Sequence, residues 1–98
     1  MDNQQQHILV INPNSDESVT EGMIRELKGF HFSEGPRIEC VSLSDGPFGI
    51  ESQADIEAVT LPLRKMVSES SNVDAFVIAC YSDPGLHVCR EASEKPVF

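Results

Sequence analysis

Hydrophobic residues in this chain fall in short blocks separated by polar stretches rich in glycine and proline, and the blocks alternate in kind. His7-Ile8-Leu9-Val10-Ile11 is a brief apolar run, too short for a helix and typical of a buried strand. It stops at Asn12-Pro13-Asn14, a turn cluster. Beyond it Val19, Met23, Ile24 and Leu27 share one helical face, which predicts a helix from about Ser15 or Asp16 to Lys28 with a core-facing stripe. Asn14 stands three residues before Glu17, the spacing of a capping box, and is the expected N-cap; Gly29 is the expected stop.

Arg37 to Leu43 alternates, with Ile38, Cys40 and Ser42 on one side, as in an edge or partly exposed strand. A loop over 44–50 leads to a second helix opening at Glu51 or Ser52 and reaching about Glu69. Pro62 inside it predicts a bend, because proline removes one helical hydrogen bond. The apolar run after Val73 predicts a third strand, about Ala75 to Ala79. Asp83-Pro84 then has the chemistry of an N-cap followed by a first helical residue, so a third helix is expected from Pro84 to about Glu94. Pro96 ends it, and Val97-Phe98 begin a fourth strand.

Strand and helix in strict alternation predict an α/β fold: a three-layer, flavodoxin- or Rossmann-like half with a parallel sheet and right-handed crossovers. The expected strand order is 2-1-3, with the topological switch point between the first and third strands. Their carboxyl ends carry Asn12-Pro13-Asn14 and Cys80, so two separate features point into one crevice. One domain over 1–98 is expected, with 1–6 as a disordered polar tail.

Charge and cysteine content narrow the classes. Sixteen acidic residues against seven basic ones give a net charge of −9, which argues against nucleic acid or an anionic membrane as partner. Three cysteines without framework spacing fit free thiols in a reducing, cytoplasmic setting. No metal-ligand spacing is present, and no glycine-rich phosphate loop, so neither a metal nor a nucleotide cofactor is expected. His87 and Cys89 are two apart on the predicted helix and do not face one another. Cys89 pairs with Leu86 on a core face instead.

Cys80 falls where a parallel strand ends and a helix is expected to begin. A helix start there would favour thiolate, which can take a proton or attack an electrophile. Ser82 offers a hydroxyl beside it. Exposed amides at the helix start would stabilise a developing negative charge. Asp83 is the expected N-cap, and Gly85 permits a close backbone approach.

Ala79-Cys80-Tyr81-Ser82-Asp83-Pro84-Gly85-Leu86 resembles the first cysteine motif of the aspartate/glutamate/hydantoin racemase superfamily, nearest to its hydantoin and allantoin racemase branch. Ile11-Asn12-Pro13-Asn14-Ser15 is similar to the motif ending that family's first strand. Gly46-Pro47-Phe48-Gly49-Ile50-Glu51-Ser52 looks like its Gly-Pro-x-x-Ile-Glu-Ser segment. The resemblance implies a cofactor-independent racemase in which Cys80 abstracts the C5 proton of a 5-substituted hydantoin. It implies Asn14, Ile50, Ser52, Tyr81 and Ser82 as substrate-binding residues, with Asn12, Glu51, Asp83 and Gly85 in support.

Members of that superfamily have two similar α/β halves and a cysteine from each flanking the substrate. This chain matches the N-terminal half, so a sequence truncated before the second half is expected, with a small-molecule substrate as partner. Two alternatives stand beside this reading. One is a maleate-type cis–trans isomerase using the same cysteine as nucleophile. The other is an inactive, racemase-derived binding module. A homo-oligomer, in which a second copy supplies the missing wall of the cleft, is a further arrangement open to the chain.

Overall fold

The computed structural model describes residues 5–98. The first four residues of the expected tail lie outside these. Gln5 and Gln6 are exposed, yet the Gln5 amide donates to the Gly35 carbonyl and the Gln6 carbonyl accepts from the Arg37 N–H at 2.7 Å.

Three parallel strands form the sheet: β1 (His7–Asn12), β2 (Arg37–Ser42) and β3 (Ala75–Ile78), in the order β2-β1-β3. The register sets Val10 beside Cys40 on one side and beside Val77 on the other. Val97 makes a parallel bridge to Phe76, so the chain after Pro96 begins a fourth line along the outer edge of β3. These features match the α/β reading, the strand order, the edge position of β2 and the start of a further strand after Pro96.

Alternation along the strands sends successive side chains to opposite faces. Leu9, Ile11, Phe76 and Ile78 point to one face and meet Val59, Leu63 and Val67 of α2 (Gln53–Glu69) and Cys89 of α3 (Leu86–Ala92). This is the hydrophobic core, and Ile11, Leu63 and Cys89 in it are fully shielded from solvent. Pro62 lies inside α2, which runs unbroken through it. Its N-cap is Ser52, whose hydroxyl accepts from the Asp55 N–H at 3.1 Å.

The opposite face carries α1 (Glu17–Glu26), followed by a single 3-10 turn, Lys28–Phe30. Two expectations fail here. The N-cap is Asp16, whose carboxylate accepts from the Ser18 N–H at 3.0 Å; Asn14 is turned instead onto the backbone of its own loop. The apolar stripe is also not covered: Val19 is 41% exposed and Ile24 43%, and Thr20 is the buried residue of this helix. Val19, Gly22, Met23 and Leu27 line an open groove of about 510 Å³ with Val10 and Ala79. The pattern correctly marks the apolar side of the helix, but α1 packs along β2 and leaves that side uncovered.

The entry into α3 also departs from expectation. The N-cap is Gly85, at φ 69°, and Asp83 too has a positive φ of 49°. Asp83-Pro84 therefore forms a tight turn before the helix, and neither residue holds the expected capping position. The turn is closed by the Asp83 N–H donating to the Cys80 carbonyl at 3.1 Å and the Leu86 N–H donating to the Asp83 carbonyl at 3.2 Å. Gly85 is required here twice over. Its backbone is left-handed, and a Cβ would lie 3.3 Å from the Cα of Thr60 in α2.

At the amino end of the sheet the polar groups satisfy one another. The His7 N–H donates to Asp74 Oδ2 at 2.8 Å, and its ring Nε2 lies 2.8 Å from Glu39 Oε1. Among the described residues no helix is long and apolar enough to cross a membrane.

Candidate active site

Carboxyl ends of β1 and β3 lie side by side, joined by the Ala79 N–H donating to the Ile11 carbonyl at 2.8 Å. This is the switch point of the sheet, where strand order reverses and a crevice opens. Cys80 follows directly on β3. With Ala79, Tyr81 and Asp83 it lines an open cavity of about 470 Å³. Tyr81 projects wholly into solvent, and Ser82 and Asp83 are exposed. The Cys80 thiol is half-buried, with its Sγ 3.5 Å from the Ser82 hydroxyl. α3 begins only at Leu86, so the residues that directly follow Cys80 form a turn and not the first turn of a helix. The amides nearest Cys80 belong to the turn: the Cys80 N–H donates to the Ile78 carbonyl at 3.1 Å, and the Asp83 N–H is also used within the turn.

The β1 side is built around Asn12, a polar side chain 1% exposed. Its Nδ2 donates to Asn14 Oδ1 at 2.8 Å and to Thr20 Oγ1 at 3.1 Å, with a longer contact of 3.3 Å to the Asp16 carbonyl. Its Oδ1 accepts from the Asn14 N–H at 3.2 Å. Thr20 in turn hydrogen-bonds the Ser42 hydroxyl at the end of β2. Asn14 Oδ1 accepts a second bond, from the Asp16 N–H at 2.9 Å. With that oxygen engaged twice inside the loop, the Nδ2 group of Asn14 is its remaining donor.

A third loop leans on this one. The Ser15 N–H donates to the Pro47 carbonyl at 2.8 Å, and the Leu43 N–H donates to the Asn12 and Asn14 carbonyls at 2.9 and 3.2 Å. Gly46 fits only without a side chain, since a Cβ would stand 2.8 Å from the Pro13 carbonyl oxygen. The three segments singled out from sequence thus meet at one end of the sheet.

They do not all share one cavity. Among the described residues Asn14, Ile50 and Ser52 do not line the Cys80 cavity. Ile50 packs partly against the core, Ser52 caps α2, and the exposed Glu51 gives its N–H to Asp55 Oδ2 at 2.8 Å. Gly85 lies against α2 and away from the crevice. Thr20 and Ser42 escaped the sequence reading. The available signal was a hydroxyl residue interrupting the apolar side of α1, but its partner Ser42 is distant in sequence and only the fold brings them together.

The other two thiols are held further from ionisation than an ordinary thiol. Burial pushes the Cys89 thiol above its ordinary range. Burial raises Cys40 as well, with the neighbouring Glu39 carboxylate adding to it. Among the described residues no group of three or more His, Cys, Asp or Glu is placed to hold a metal ion.

Known proteins resemble this chain in sequence and in fold. The sequence model of the Asp/Glu/Hydantoin racemase family matches residues 8–98. A hydantoin racemase of Pseudomonas sp. (strain NS671) is 44% identical over 94 residues, which is 92% of this chain and 36% of that protein. A hydantoin racemase of Rhizobium meliloti is 38% identical over 100 residues, covering 94% of this chain and 39% of that one. In three dimensions the chain superposes on an allantoin racemase from Klebsiella pneumoniae with a TM-score of 0.86 and 30% identity, over 96% of this chain and 39% of that one. The chain therefore spans less than two fifths of the length of these relatives.

Proposed function

The chain belongs to the Asp/Glu/Hydantoin racemase family, and from that premise we propose that it is the N-terminal, cysteine-bearing part of a cofactor-independent hydantoin- or allantoin-type racemase. Cys80, as thiolate, takes the proton from C5 of a 5-substituted hydantoin. The thiolate becomes a thiol, and the electron pair left on C5 spreads onto the adjacent ring carbonyl as an enolate. A proton returned to the opposite face gives the other hand of the substrate, with no oxidation or reduction. That second proton donor belongs to the opposite wall of the cleft.

The observation that carries this reading is the position of Cys80 at the carboxyl end of β3, beside the Asn12-Pro13-Asn14 loop of β1 and open to a 470 Å³ cavity. Asn14 supports it further. Its oxygen is engaged inside the loop, so it offers N–H donors, which suit a ring carbonyl that gains negative charge as the proton leaves. Ser82, 3.5 Å from Cys80 Sγ, can donate to the thiolate. Tyr81 is assigned to the rim of the Cys80 cavity, while Ile50 and Ser52, which do not line that cavity, are assigned to the neighbouring loop of the substrate site, with Glu51 and Asp83 supporting these loops.

The reading is tested by loss of the C5 proton signal of an enantiopure 5-substituted hydantoin in D₂O, followed by NMR with reductant present. For this chain alone little exchange above background is expected, because one wall of the cleft is open to water. Exchange that vanishes in Cys80→Ala would show a working half-site. Exchange above background that persists unchanged in Cys80→Ala would remove Cys80 from the chemistry.

A further inference from the structure

We propose that Thr20 is a positioning residue for the crevice: through Asn12 it fixes which end of the Asn14 carboxamide faces the substrate, and Ser42 holds it in place. The inference rests on the racemase reading for what the crevice binds, but the latch itself rests on hydrogen bonds within the fold.

Asn12 is an amide with two N–H donors and one oxygen, buried to 1% exposure. Such a group must place each donor on an acceptor, since an unpaired buried donor is costly. One acceptor is Asn14 Oδ1 and another is Thr20 Oγ1. With both engaged, Asn12 Oδ1 is directed at the Asn14 N–H. The Asn14 side chain is then held by its oxygen, which also takes the Asp16 N–H, and its NH₂ group is left as its remaining donor.

Remove the Thr20 oxygen and the only contact left between α1 and the Asn12 carboxamide, among the described residues, is the longer 3.3 Å one to the carbonyl of the N-cap Asp16. A flip would set Asn12 Oδ1 against Asn14 Oδ1, two acceptors face to face. The Asn14 side chain would then be released. A polar residue in the middle of an otherwise apolar helix side, and the one buried residue of α1, is thereby explained. Ser42, the last residue of β2, ties the same latch to the edge strand, so β1, α1 and β2 all bear on the orientation of one amide.

The test uses Thr20→Val, which keeps the shape and removes the oxygen, with Thr20→Ser as the conservative variant and Ser42→Ala as the outer partner. Hydrogen exchange in the 98-residue chain is read by NMR at the Asn12 side-chain NH₂ and the Asp16 backbone amide, relative to the Val10 and Ile11 amides of the central strand. Thr20→Val is expected to speed the two loop signals about tenfold over the strand amides, the scale of one buried hydrogen bond. Thr20→Ser is expected to restore them, and Ser42→Ala to fall between. Loop and strand amides accelerating together would make Thr20 a simple stability residue, and unchanged loop signals in Thr20→Val would abolish the latch; either overturns the proposal. In a second arm a 5-substituted hydantoin is added. A shift of the Asn14 NH₂ signal in the unaltered chain that is lost in Thr20→Val supports the role at the site. No shift even in the unaltered chain counts against the racemase reading, while the exchange comparison still decides the latch.

Discussion

The two faces of the sheet are made by the same three strands yet are held by different physics. Under α2 and α3 the face is dry: Leu9, Ile11, Phe76 and Ile78 pack with Val59, Leu63 and Val67, and the buried polar residues among those described, Asn12 and Thr20, lie elsewhere. Under α1 the contacts that define the structure are hydrogen bonds among Asn12, Thr20 and Ser42, while the apolar Val19 and Ile24 remain about two-fifths exposed. One face supplies stability without directional chemistry. The other fixes direction at the mouth of the crevice and supplies little burial. The chain thus keeps its energetic and its functional precision on opposite sides of a single layer.

The sharpest way to break this contrast is to truncate one large apolar side chain on each face. Phe76→Ala, in the dry face, is expected to lower unfolding free energy by about 3–5 kcal/mol, since it loses transfer energy and leaves a cavity. Ile24→Ala, on the open face, should change it by less than about 0.5 kcal/mol. Urea unfolding of both variants measures the pair. Comparable losses would mean that the α1 face is packed and the contrast false.

A smaller effect tests what locks the dry face together. Gly85→Ala places a side chain in left-handed backbone and against Thr60 of α2. A loss of about 1–2 kcal/mol is expected from the backbone alone, read in the same urea experiment. Gly29→Ala, where an added Cβ meets nothing within 4 Å, is the matched control and should be near neutral.

The smallest effects are read through the cysteines, one on each face and one at the crevice. By register Cys40 lies with Val10 on the α1 side, and Cys89 lies in the dry face. Alkylation followed by mass spectrometry should label Cys80 first, then Cys40, and Cys89 last, through opening of the fold. Both Cys40 and Cys89 have folded values raised above the ordinary 9.0, so the native state resists their ionisation while the unfolded chain does not. Stability is therefore full below 9.0 and falls as pH rises through the raised folded values. Cys89→Ala should flatten that fall more than Cys40→Ala, because burial of Cys89 is the deeper of the two. An identical pH slope in all three chains would remove the thiols as its source.

Much of the fold was legible because strand and helix differ in hydrophobic period, and because turn residues punctuate each change. The position of Cys80 followed from the same signals. What misled was local capping chemistry. Asn14 and Asp83 have the composition of helix caps, but each is claimed by its own loop: Asn14 by the buried Asn12, Asp83 by a turn onto Cys80 and Leu86. An amphipathic pattern also reports which side of α1 is apolar and is silent on whether anything covers it. The partnership of Thr20 with Ser42 was out of reach for another reason. It depends on the register of β2 beside β1, which no local spacing encodes.

The central position of β1 also bears on how the chain reaches its structure. Both of its partners arrive from downstream, β2 across the crossover that contains α1 and β3 only after α2 as well. The first closure is the cheaper, but by less than about 1 kcal/mol, because loop entropy grows only with the logarithm of length. It also secures only the thinly packed face. The dry face exists only once β3 lies beside β1 with α2 folded over both, so the early pair has little to hold it. Refolding should accordingly proceed as one slow cooperative event, with the longer closure setting its rate.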